Sequence, residues 1–186
     1  QAQIKQRSRY YADLVQLPPA QFNRLMHDRV LTLGGRQWRC IAGYGHAPEH
    51  MALYCEALQV LISGDMVLPT ISTNVSVFAY EPEADPLRLY LESLMCYLSL
   101  PADTLVLPSH GRPFHGLHER IDYLQQHHAE RLAETLEACQ HDEGCSAAEL
   151  IPVLFKRQLD MHQLTFAMGE AIAHLHRLYF QGQLSR

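Results

Sequence analysis

The chain has 186 residues, 47% of them hydrophobic, with a net charge of −5 and a pI near 6.2. A chain of that length buries about 70% of its unfolded surface, enough for one domain or one and a half. The acidic balance excludes a general basic face for nucleic acid or anionic lipid, and no apolar run is long enough to span a membrane.

Residues 4–16 place Ile4, Tyr11, Leu14 and Val15 at helical spacing. Pro18 ends that segment and Pro19 opens a second short helix, with Phe22, Leu25 and Met26 on one face. Residues 29–33 and 36–42 are β-like around Gly34-Gly35, a hairpin signal. A loop over 43–50 leads to two further strands, 51–55 and 58–62, and then to an irregular stretch, 66–83. Leu87, Leu91, Leu94 and Leu98 share a helical face that starts at Asp85-Pro86. A short buried strand, 104–107, precedes a long helix marked by Ile121, Leu124, Leu132 and Leu136. Ser146 and Glu149 fit a capping box. Leu164, Met168, Ala171, Leu175 and Leu178 mark a last helix, with Gly182 beyond its end.

Cys40, Cys55, Cys96, Cys139 and Cys145 are odd in number and form no Cys-x-x-Cys, so reduced thiols are expected. With no signal peptide pattern at its start, the chain is expected in the cytoplasm. It opens on Gln1, which reads as a fragment or processed end. The 12 histidines raise the expectation of metal chemistry without locating it.

Three segments locate it. Gly45-His46-Ala47-Pro48-Glu49-His50 lies in the loop between two strands. Gly45 frees the backbone to turn, so the His46 imidazole can point over the sheet edge. Ser63-Gly64-Asp65 ends a buried run, which holds a carboxylate at the end of the sheet. Pro108-Ser109-His110-Gly111 does the same with an imidazole. Carboxylate and imidazole are both metal ligands, and a carboxylate can give one oxygen to each of two ions.

In order and spacing these segments resemble the later part of the metallo-β-lactamase fold, in its glyoxalase II-like hydrolase branch. Glu49 stands where the family's loop has a second glycine, and Ser109 where its third motif begins with glycine. The family's upstream His-x-His-x-Asp-His string does not occur. The resemblance implies an α/β chain forming the C-terminal half of an αββα sandwich over residues 1–128. A helical, winged-helix-like tail follows over 129–186. It implies His46, Asp65 and His110 as metal ligands, Asp65 as the bridging catalytic carboxylate, and His50 as a supporting residue. It also implies two divalent ions (zinc, iron or manganese) in the complete protein, and metal-activated water attacking an ester or thioester.

With the upstream motif absent, each ion would have two protein ligands here, so weak metal binding and low activity are expected of this chain alone. Self-association, or pairing with the missing N-terminal half, is expected as well. From Ala129 onward eight acidic side chains outnumber five basic ones, which favours a packing or lid role for the tail over nucleic-acid binding. The rival readings are a nuclease of the same fold and a metal-poor interaction module. His115 and His118 read as surface residues. His127 and His128 diverge by about 100° on a helix, and His174 and His176 face apart, so neither pair is expected to chelate one ion.

Overall fold

A computed structural model describes residues 19–141 and 145–185. Among them a five-stranded sheet has the order β1 (Val30–Leu33), β2 (Arg36–Gly43), β3 (His50–Cys55), β4 (Val60–Gly64), β5 (Leu105–Pro108). The first four strands are antiparallel neighbours. Gly34 and Gly35 carry φ of 57° and 73°, which gives the β1–β2 hairpin the twist that primed turns supply. β5 pairs parallel to β4, so the connection between them must cross over, and helix α1 (Pro86–Cys96) provides it.

Asp85 caps α1 by accepting from the Arg88 amide, and Pro86 occupies the first turn. Helix α2 (Leu117–His141) follows β5 and runs unbroken through position 129. Helices α3 (Ala147–Leu154) and α4 (Met161–Phe180) complete the chain, each opened by a capping box, Ser146 with Glu149 and Asp160 with Gln163. Beyond Pro108 no strand occurs among the described residues.

The strand register separates the two faces of the sheet. Ile41, Ala52, Tyr54, Leu61 and Val106 point one way, and they are buried against Leu87, Tyr90, Leu94, Leu117, Ile121 and Leu124 of α1 and α2. Each fully buried leucine contributes roughly 1.5–3 kcal/mol. The opposite face carries a row through Leu53, Ile62 and Leu107, in which Leu53 and Leu107 are half-buried and Ile62 is exposed. The tail has a small core of its own, Leu150, Leu154 and Ala171, with Leu175 at its rim. Leu132 and Ala173 join the main core instead.

Two expectations fail. The expected helix starting at Pro19 does not form, and residues 19–26 are irregular. A helix that short needs a packed face, yet Phe22 is 80% exposed and Met26 51%. The segment that follows is bound to β2 instead: Asp28 N–H donates to the Cys40 carbonyl, Cys40 N–H to the Arg29 carbonyl, and Ala42 N–H to His27 Nδ1. Nor are all the thiols free. The end of α2 and the start of α3 bring Cys139 and Cys145 to a Cα separation of 5.0 Å, and they are joined as a disulfide. Cys40, Cys55 and Cys96 are free. The expected helix over 4–16 lies outside the described residues.

Candidate metal centre

Strand direction explains why the three motifs meet. β4 and β5 are parallel and end at the same edge of the sheet, and β3, antiparallel to β4, begins there. Ligand sites of open α/β sheets form beyond such strand ends. Asp65 follows β4 directly, His110 stands two residues past β5, and the loop from β2 to β3 holds His46 and leads to His50.

The structure brings His46, Asp65 and His110 together. His46 Nε2 lies 3.5 Å from Asp65 Oδ2, and His110 Nε2 lies 3.5 Å from Asp65 Oδ1. One carboxylate thus presents a different oxygen to each imidazole. Two atoms bound tetrahedrally to one ion at 2.0–2.1 Å would lie about 3.3 Å apart, so the observed separations are close to a ligand edge.

The surroundings fix the orientations. His46 Nδ1–H donates to the Asn74 carbonyl at 2.8 Å, which leaves the Nε2 lone pair facing the Asp65 carboxylate. That is the arrangement in which a backbone acceptor sets the tautomer of a metal-binding histidine. Asp65 Oδ1 is buried and has no hydrogen-bond partner. Two imidazole nitrogens about a carboxylate with an orphaned buried oxygen make a set of donors that fits a divalent ion. The Asp65 backbone is held from two sides: its N–H donates to His50 Nε2 at 3.3 Å, and its carbonyl accepts from the Thr73 hydroxyl. Burial pushes the His50 pKa down, the nearby His46 adds to that, and Asp65 opposes it.

Glycine is required at two positions around this cluster. Gly45 has φ +93°, and a Cβ there would meet the Pro86 carbonyl oxygen at 2.4 Å and Tyr90 at 2.7 Å. Gly64 has φ +55°, and a Cβ there would strike His50 Nε2 at 2.3 Å. Glu49, where the motif has glycine, is held by Arg24 through two hydrogen bonds of 3.0 Å.

The other histidines divide. His115 is exposed and its Nδ1 meets the Asp103 carbonyl, while His118 Nε2 meets the Leu100 carbonyl. His176 Nδ1 meets the Ala84 carbonyl, on a different side of α4 from His174. Reading the sequence missed one grouping. His128 on α2, with Glu170 and His174 on α4, offers three ligand atoms within 4.8 Å of one another. The only sequence signal is the spacing of Glu170 and His174, four apart on one helical face; the His128 partner is 46 residues away.

A family model described as the metallo-beta-lactamase superfamily matches residues 14–110, and one described as a metallo-beta-lactamase-like C-terminal domain matches residues 132–186. The structure of a beta-lactamase domain protein from Burkholderia ambifaria is 53% identical, with a TM-score of 0.91 over 100% of this chain and 56% of that one. A metallo-beta-lactamase family protein from Thermus thermophilus is 33% identical, with a TM-score of 0.78 over 89% of this chain and 51% of that one. The chain thus spans about half the length of these solved relatives. Membership of the superfamily implies binding of divalent metal. The chain belongs to the metallo-β-lactamase superfamily.

Proposed function

We propose that this chain is the C-terminal part of a metal-dependent hydrolase of the glyoxalase II-like branch, acting on a small ester or thioester in the cytoplasm. The observation that carries this reading is the pairing of one Asp65 oxygen with His46 and the other with His110. In this reading His46, Asp65 and His110 are metal ligands, Asp65 being the bridging, catalytic carboxylate. A bound divalent ion, zinc, iron or manganese, supplies Lewis acidity and brings the pKa of water towards about 7.

The chain's own residues set the geometry. Asn74 and Thr73 fix His46 and Asp65 from behind, and His50 holds the Asp65 amide. The His110 side chain is 68% exposed in this chain, which leaves room for the ligands of a separate segment. A hollow of about 140 Å³ flanks the His46 loop, lined by Ala47, Pro48, Phe78 and Leu89 among others. Its apolar walls suit the acyl portion of a small substrate.

The remaining ligands come from a separate segment, and the apolar row through Leu53, Ile62 and Leu107 packs against that segment's sheet or against a second copy. Residues 129–186 act as a packing or lid element, and their likeness to a winged helix rests on the trio of helices alone. The test compares hydrolysis of an aryl ester and an acyl thioester by a protein of the relatives' full length, with and without Asp65→Ala. Metal-dependent turnover that falls at least about a hundredfold in the variant supports the reading. Turnover insensitive to chelator and to the substitution refutes it.

A further inference from the structure

We propose a second divalent-metal site, of the zinc class, formed by His128, Glu170 and His174 where the tail helix α4 crosses α2. It is separate from the centre at Asp65.

The geometry is that of a ligand set. His128 Nδ1 and His174 Nε2 face each other at 3.4 Å, and two nitrogens on one tetrahedral zinc would lie about 3.3 Å apart. Glu170 brings a carboxylate oxygen within 4.8 Å of both. His174 Nδ1–H donates to the Glu170 carbonyl at 2.8 Å. That bond fixes the tautomer and leaves Nε2 with a free lone pair aimed at His128, as a backbone acceptor does behind a metal-binding histidine.

Without a cation the cluster is poorly served. The two imidazoles can share a single proton across their contact. His128 is fully buried, and its Nδ1 meets His174 Nε2. Glu170 is half-buried beside them. The Arg131 Nη1 is held by Glu134 and the Leu154 carbonyl.

Two histidines, one carboxylate and one open position make a borderline donor set that favours zinc over calcium or magnesium. The ligands come from two helices, so the ion would tie the tail to the main domain. The Tyr90 ring packs edge-on against His128 at 5.7 Å, and its hydroxyl donates to the Met66 carbonyl. An ion here therefore also steadies the segment next to Asp65.

The test uses the full chain with His46→Ala, Asp65→Ala and His110→Ala, which removes the first centre, titrated with zinc or cobalt(II) alone. The expected result is one bound equivalent, a tetrahedral cobalt absorption band, and a melting temperature that rises with zinc. Adding Glu170→Gln, which keeps the side chain's shape, or His174→Gln should weaken binding at least about tenfold and abolish that rise. In the otherwise unsubstituted chain, Glu170→Gln should lower the zinc stoichiometry by one, a comparison that holds if the triple variant fails to fold. No zinc bound by a folded triple variant overturns the proposal, as does binding or stoichiometry that Glu170→Gln leaves unchanged.

Discussion

His46 Nε2 stands 3.5 Å from Asp65 Oδ2 because its other nitrogen is tied to the Asn74 carbonyl at 2.8 Å. The orientation depends on the irregular stretch that carries Asn74 as much as on the motif. Ser76 Oγ donates to Asn74 Oδ1 at 2.6 Å, and the tail helix packs on Ser76 through Gly169, where a Cβ would come within 2.4 Å of Ser76 Oγ and 2.7 Å of its Cβ. Gly169→Ala is therefore expected to shift Ser76 and weaken metal binding at the Asp65 centre about tenfold, the scale of an outer-shell disturbance. Calorimetric titration checks it; unchanged affinity would show that the tail does not reach the site.

Gly45→Ala should be severely destabilising. It forces an L side chain into φ +93° and drives a Cβ against the Pro86 carbonyl and Tyr90. Strain of this kind costs roughly 1–3 kcal/mol before the steric clash is added. Urea unfolding measures the loss. Gly35→Ala, at φ +73° with open space around it, should show the strain alone and so a smaller loss.

The meeting of His46, Asp65 and His110 was legible because each lies just beyond a strand end, and strand ends follow from short apolar runs bounded by Gly and Pro. Gly45 was readable for the same reason, as a position needing a turn. What failed was anything set by distant partners. The Pro19 helix gave way because residues 27–29 bond to β2. Nothing at Glu49 announced Arg24, 25 residues earlier, as its partner. The pairing of His128 with His174 depends on how two helices cross, and a single sequence does not carry that.

Tyr97→Phe should stabilise the chain by about 1 kcal/mol, because the buried Tyr97 hydroxyl has no hydrogen-bond partner. The variant should also resist alkali better. Burial pushes the pKa of Tyr97 up, and that of Tyr90 up to about 12, from an ordinary value of about 10. The folded state thus holds protons that the unfolded state releases above about pH 10, so stability is present below that pH and lost as it rises. Melting curves from about pH 8 to 11 should decline less steeply in Tyr97→Phe. An equal decline would place the alkaline sensitivity elsewhere.

Leu150→Ala should cost about 2–5 kcal/mol, since Leu150 is fully buried at the centre of the tail core. Leu175→Ala, at the rim of the same core, should cost less. Chemical denaturation of both variants checks the ranking, and a larger loss at Leu175 would contradict the described packing.

The most direct test of the central claim is equilibrium dialysis against zinc followed by elemental analysis, in a Glu170→Gln background that silences the second site. The account predicts bound zinc whose affinity falls at least about tenfold with each of His46→Ala, Asp65→Ala and His110→Ala. Zinc retained at unchanged affinity in Asp65→Ala would contradict it.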